Sequence, residues 1–183
     1  MSPSCLLTSF DVWEAHQRSN TSDDLLGELV RRDWLSPTTR LLRKLPVDFD
    51  QAPAQVIAAM ESWRPEIVVC CGMAERRSRL AIESNGTIGS ETIYTPVQVD
   101  ELVQGLSHTD VSHDAGRFVC NHTYYTVLRY IQRTQLPTRC VFVHVPLLTM
   151  ANQEAIAIEF AQILTRLQTS HESQTALNPG TLA

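Results

Sequence analysis

The sequence predicts an α/β fold, a three-layer α/β/α sandwich around a mixed, mostly parallel central sheet. Three observations carry this expectation. Ile67–Val68–Val69–Cys70–Cys71–Gly72 is an uninterrupted apolar run, the mark of a strand covered on both faces. Arg139–Cys140–Val141–Phe142–Val143–His144–Val145 reads as a short apolar strand with His144 near its end and Pro146 stopping it. Helical patterns separate these from the other strand-like segments, so the two element types alternate along the chain. The chain has 183 residues, of which 43% are hydrophobic and 19% charged. That suits one globular domain over residues 1–170, with 171–183 as a flexible tail.

In order, Cys5–Phe10 reads as a first buried strand, and a loop from Asp11 to Asn20 carries Trp13, Glu14 and His16. Ser19, Asn20, Thr21 and Ser22 each offer an N-cap, with Asp23 and Asp24 in the first turn of a helix running to Arg31 or Arg32. Leu41–Val47 reads as an edge strand, given its basic pair and Pro46. Asp48 or Asp50 caps a helix over Gln51–Trp63, in which Val56, Ile57, Met60 and Trp63 recur at helical spacing. After the central run, Met73–Arg77 is a polar turn. Ser78–Ser84 alternates with period two, placing Leu80 and Ile82 on one face. Asn85–Gly86 is a turn signal, and 87–95 carries no clear pattern. Pro96–Leu106 reads as a helix, Val111 as part of a short strand, and Asn152–Gln168 as the last helix.

The chemistry concentrates where His113, Asp114 and Gly116 form a turn into a helix from Phe118 to Gln132 or Arg133. Cys120 falls in or just before the first turn of that helix. Unpaired amides and the positive end of the helix dipole favour a thiolate there. His144 stands near the end of its strand. Helix N-termini and strand C-termini meet at one edge of a parallel sheet, so Cys120 and His144 are expected to face one crevice. A thiol with an imidazole in reach is an activated nucleophile.

A net charge of −5 provides no basic field, which argues against nucleic acid and anionic membrane as partners. The five cysteines, Cys5, Cys70, Cys71, Cys120 and Cys140, are odd in number and contain no CxxC pair, so no metal site is expected. Free thiols in a reducing cytoplasm are the simplest account, and the N-terminus shows no secretory pattern. Cys70–Cys71 reads as inert core and Glu75–Arg76–Arg77 as a solvated turn. Cys120 and His122 lie two apart on a helix and do not share a face, which removes a metal pair there.

Ala115–Gly116–Arg117–Phe118–Val119–Cys120–Asn121–His122 resembles the nucleophile motif of the pyroglutamyl peptidase I family, cytosolic cysteine peptidases that remove N-terminal pyroglutamate. Val143–His144–Val145–Pro146 resembles the family's histidine motif at matching spacing. Arg77–Ser78 through Ile82–Glu83 resembles the segment that carries its glutamate, and Thr8–Ser9–Phe10–Asp11 its first strand and loop. The likeness covers most of residues 5–165. It implies Cys120 as nucleophile, His144 as its base and acid, and Glu83 as the group that orients His144. It also implies a peptide substrate and no cofactor, and a homo-oligomer is among the states it allows. Phe10 and Phe118 match aromatic positions that hold the lactam ring. Trp13 stands where a second phenylalanine is usual, as a pocket wall or a loop anchor, and Met73 and Val119 complete the expected substrate-binding set.

The sequence also departs from the family. Met73 replaces a glutamine bordering the pocket, Glu75 and Arg76 replace two glycines, Val12–Trp13–Glu14–Ala15 replaces the glycines and proline of the first loop, and the segment from Glu83 to Cys120 is shorter. These changes motivate a rival reading, a relative that keeps the fold and uses the crevice only for binding.

Overall fold

The computed structural model describes residues 3–177. In chain order the elements are β1 (Cys5–Phe10), α1 (Thr21–Arg31), β2 (Thr39–Leu45), α2 (Gln51–Trp63), β3 (Ile67–Met73), β4 (Leu80–Glu83), β5 (Asn85–Ile88), β6 (Glu91–Tyr94), α3 (Val99–Val103), β7 (Thr109–Ser112), α4 (Val119–Thr134), β8 (Arg139–Val145) and α5 (Gln153–Leu177). Six strands form one sheet in the order β2-β1-β3-β8-β4-β7, and β5 and β6 form a separate hairpin. All neighbours in the large sheet run parallel except β4 and β8. The expected mixed, mostly parallel sheet is therefore what forms.

Period-two alternation in fully covered strands builds two cores. One side of the sheet holds Leu7, Val69, Ile82 and Val143 against α1, α3 and α5. The other holds Leu6, Val68, Cys70 and Phe142 against α2 and α4. This explains why β3 is buried along its whole length, as its apolar run predicts. It also corrects what the alternation of β4 suggests. Leu80 and Ile82 do face one core, but Ala81 and Glu83 face the other, and neither side meets water.

Helix starts follow the expected capping chemistry. The Asn20 side chain accepts from the Ser22 amide at α1. Asp48 accepts from the amides of Asp50 and Gln51 at 3.0 and 2.8 Å, so of the two candidate aspartates it caps α2.

Three local elements differ from what the sequence suggests. Asn85–Gly86 is not a turn but the start of β5. A Cβ on Gly86 would lie 2.7 Å from the backbone nitrogen of Tyr125 in α4, so this glycine permits a close approach between elements. The real turn lies at Gly89, with φ +61°. The helix expected over Pro96–Leu106 is only Val99–Val103. Thr95 holds the segment before it through bonds to Cys140 and Val97, and Gly105 follows it at φ +74°. Finally, α5 runs on to Leu177, into the stretch that reads as tail, and residues 178–183 of that stretch lie outside the described residues. Among the described residues no helix is long and apolar enough to cross a membrane.

Gly86→Ala is expected to destabilise the protein by about 1–3 kcal/mol, because rigid backbone is what the new methyl meets. Urea unfolding checks this. An unchanged midpoint would mean that β5 and α4 are not tightly docked.

Candidate active site

Strand register sets the position of His144. Its neighbour across β3 is Gly72 and its neighbour across β4 is Ala81, two of the smallest residues available. The imidazole thus has room on the α4 side of the sheet. Gly72 also makes space for the thiol, since a Cβ there would fall 2.5 Å from Cys120 Sγ. Cys120 is the second residue of α4, and Gly116, at φ +79°, turns the chain into that helix. Helix start and strand end do meet, and Cys120 and His144 line one cavity.

Glu83 completes the group. It is fully buried, and its Oε1 accepts a 2.7 Å hydrogen bond from His144 Nδ1. An ionised carboxylate only accepts, so Nδ1 is the donor in this bond and Nε2 is the ring nitrogen left for other partners. The same oxygen accepts from Arg77 Nη2 at 3.0 Å. Arg77 Nη2 also donates to Ser112 Oγ at 2.9 Å and to the Asp114 carbonyl at 3.2 Å, which ties the carboxylate to the loop leading to the thiol. The Tyr124 hydroxyl donates to the Glu83 backbone carbonyl at 3.0 Å. Arg77 reads in the sequence as a solvated turn residue. Its other signal is that it matches an arginine of the family that the sequence resembles.

The thiol is not poised as the helix start suggests. Among the described residues no hydrogen bond joins Cys120 to His144. Burial pushes the Cys120 thiol up to about 12, outweighing its favourable backbone hydrogen bond. The residue as a whole keeps some exposure, but its sulfur is enclosed by the cavity floor. The imidazole beside it is oriented by Glu83.

The cavity above the sulfur is small, about 100 Å³. At about 30 Å³ per water, that is room for roughly three waters or one small ring, and not for a peptide. Phe10, Trp13, Met73 and Phe118 line it with Cys120 and His144, as expected. Trp13 is therefore a pocket wall, its ring centroid 6.0 Å from that of Phe118. The side chain of Val119 is not a lining group. It points into the core beneath α2 and α4, because it opens the helix on the buried face. Asn20, which sequence reasoning reads only as a cap, lines the cavity too.

The substituted positions have structural work of their own. The Met73 sulfur accepts from the Thr21 amide at 3.4 Å, satisfying an N-terminal amide of α1. Glu75 accepts from Gln17 at 2.8 Å, and Gln17 in turn accepts from the amides of Trp13 and Glu14. The first loop is thereby fixed beside the cavity. His122 sits edge-on to Phe49, with 5.2 Å between centroids, and no group of metal-ligating side chains occurs among the described residues.

Comparison with known proteins agrees with this geometry. The pyroglutamyl peptidase family profile matches residues 86–162, a span that contains Cys120 and His144. A pyrrolidone-carboxylate peptidase of Brevibacillus brevis is 27% identical over 177 residues, covering 78% of this chain and 82% of that protein. One from Pectobacterium atrosepticum is 29% identical over 167 residues, covering 77% of each. The chain is thus similar in sequence to the pyroglutamyl peptidases. Among solved structures, pyroglutamyl peptidase I of Bacillus amyloliquefaciens superposes with a TM-score of 0.77 at 21% identity, over 93% of this chain and 98% of that one. Pyrrolidone carboxyl peptidase of Thermococcus litoralis gives 0.76 at 17% identity, over 94% and 96%. These two likenesses establish the fold.

The thiol's position predicts how it alkylates. Only the thiolate reacts, and below a value near 12 its fraction rises about tenfold per pH unit. Iodoacetamide labelling of Cys120 in the unliganded protein should therefore climb steadily from pH 6.5 to 9.5. A plateau near neutrality, followed by peptide mass spectrometry, would reveal a preformed thiolate–imidazolium pair instead.

Proposed function

We propose that the chain is a cysteine peptidase that removes an N-terminal pyroglutamyl residue from peptides, with Cys120 as nucleophile, His144 as base and acid, and Glu83 as the orienting group. The observation that carries this is the Glu83–His144 hydrogen bond, with the open ring nitrogen and Cys120 lining the same cavity. Likeness to the pyrrolidone-carboxylate peptidases supports the substrate class. Phe10, Trp13, Met73 and Phe118 enclose the lactam ring, and the cavity's volume suits a single such ring.

The chemistry proceeds without a cofactor. Sulfur attacks the carbonyl carbon of the pyroglutamyl residue as Nε2 of His144 takes the thiol proton. Buried Glu83 holds the imidazolium that results, and Arg77 holds Glu83. His144 then gives the proton to the leaving amine nitrogen, and the C–N bond breaks to leave a thioester. Water, deprotonated by the same imidazole, hydrolyses the thioester and frees pyroglutamate. Because the thiol is neutral at rest, proton transfer accompanies attack.

The binding-only reading is disfavoured, since neither Trp13 nor Met73 fills the crevice. Unpaired cysteines suit a cytoplasmic enzyme, and the acidic net charge suits one with no nucleic-acid partner.

Wild-type protein is expected to release aminomethylcoumarin from its pyroglutamyl conjugate, and Cys120→Ala to abolish release. Glu83→Gln should lower kcat by about 10³–10⁴-fold, in line with loss of an orienting carboxylate in a triad. Lack of turnover by pure, folded wild type would sink the proposal.

Arg77 supplies a separate measurement. Arg77→Met is expected to reduce kcat by roughly 10²-fold with KM little changed, because a small misplacement of the catalytic groups is costly while the ring cavity stays intact. Steady-state kinetics at one pH decides this, and an effect confined to KM would contradict the positioning role.

A further inference from the structure

A second, larger concavity adjoins the ring-sized cavity. It measures about 660 Å³ and shares Gly116, Arg117 and Phe118 with it. The tip of the β5–β6 hairpin, at Thr87, Ile88 and Gly89, and the start of α4, at Asn121 and His122, supply further walls, and Phe49 stands beside Phe118. Asn121 clamps the hairpin by accepting from the Thr87 amide at 2.8 Å and donating to the Thr87 carbonyl at 2.6 Å. The wall is therefore fixed in place.

One feature of this groove is chemically unusual for a protein surface. Trp13, Phe118 and Phe49 are between 36% and 46% exposed, yet they form a continuous row. Ring centroids lie 6.0 Å apart from Trp13 to Phe118, 5.9 Å from Phe118 to Phe49 and 5.2 Å from Phe49 to His122. The row leaves the small cavity at Trp13 and Phe118 and continues into the groove. Exposed, contiguous aromatic surface of this kind marks a binding site.

We propose that the groove receives the substrate on the leaving side of the scissile amide, and that the Phe118–Phe49 row selects a bulky apolar or aromatic side chain in the first residue after the pyroglutamyl group. This rests on the activity proposed above. A pyroglutamyl residue has nothing before it, so once its ring fills the 100 Å³ cavity, all remaining substrate lies on the leaving side. The groove that shares a wall with the cavity is where that remainder goes. Its aromatic faces offer offset or edge-on contacts to an incoming ring, and offer little to a methyl group.

The test compares pyroglutamyl-phenylalanine amide with pyroglutamyl-alanine amide as substrates of the full-length protein. Wild type is expected to prefer the phenylalanine substrate by at least about fivefold in kcat/KM, chiefly through KM. In Phe49→Ala that ratio should fall to within about twofold, and Phe49→Leu, which keeps an apolar wall without a ring, should lie between. Phe49→Leu serves alone if the alanine variant does not fold. Equal cleavage of both substrates by wild type, or a ratio unmoved by either substitution, overturns the inference and leaves the peptidase reading standing. Cleavage of neither substrate removes the peptidase reading and the subsite with it.

Discussion

The bond between Glu83 and His144 is the interaction on which the site depends. A fully buried carboxylate is tolerable only when paired, since an isolated charge in the interior costs several kcal/mol. Arg77 provides the counter-charge and is itself held by Ser112 and the Asp114 carbonyl. The turn after β3, the strand β4 and the loop before α4 are fastened together at one nitrogen atom, Arg77 Nη2. The imidazole that they orient lies between Gly72 and Ala81, where no larger neighbour competes for the space.

The departures from the family pattern take on a different character in this setting. Met73 and Glu75 look like lost pocket groups when compared residue by residue. In the structure, Met73 satisfies a helix amide and Glu75 anchors the loop that carries Trp13. They stabilise the walls of the cavity and also line or border it. The hydrogen-bonding capacity that a glutamine would lend to a lactam is nonetheless absent at Met73. Under the proposed function, the ring is then held mainly by shape and by the aromatic faces of Phe10, Trp13 and Phe118.

Legibility in the sequence varied with how local the deciding physics is. The central strand Ile67–Met73 is apolar throughout and the strand Arg139–Val145 is so apart from Arg139 and His144, because both faces are covered, and such runs are read directly. Cys120 and His144 were found because helix starts and strand ends share an edge in any parallel sheet. Arg77 carries only its match to a family arginine as a site signal in the sequence, and Asn20 and Phe49 carry none. Each has an ordinary local role, as a turn charge, a helix cap and an exposed aromatic ahead of a helix. Only through-space neighbours give them another. The thiol shows the same contrast: the helix start favours a thiolate by proximity, whereas burial, which disfavours it, depends on everything that closes over the sulfur.

By itself, the sequence determined the layer architecture and the position of most elements, and it pointed to Cys120 and His144 and, through a family resemblance, to Glu83. Hydrophobic periodicity and short motifs are properties of neighbouring residues, and they survive without knowledge of the fold. The tertiary structure alone decided which oxygen meets which nitrogen, that Gly86 is a contact point and no turn, that Val119 faces the core, and that a ring-sized cavity opens into an aromatic groove. These depend on strand register and on the docking of α4 and the β5–β6 hairpin. A shift of one residue in such a pairing exchanges the faces of a strand, so no local pattern can specify them.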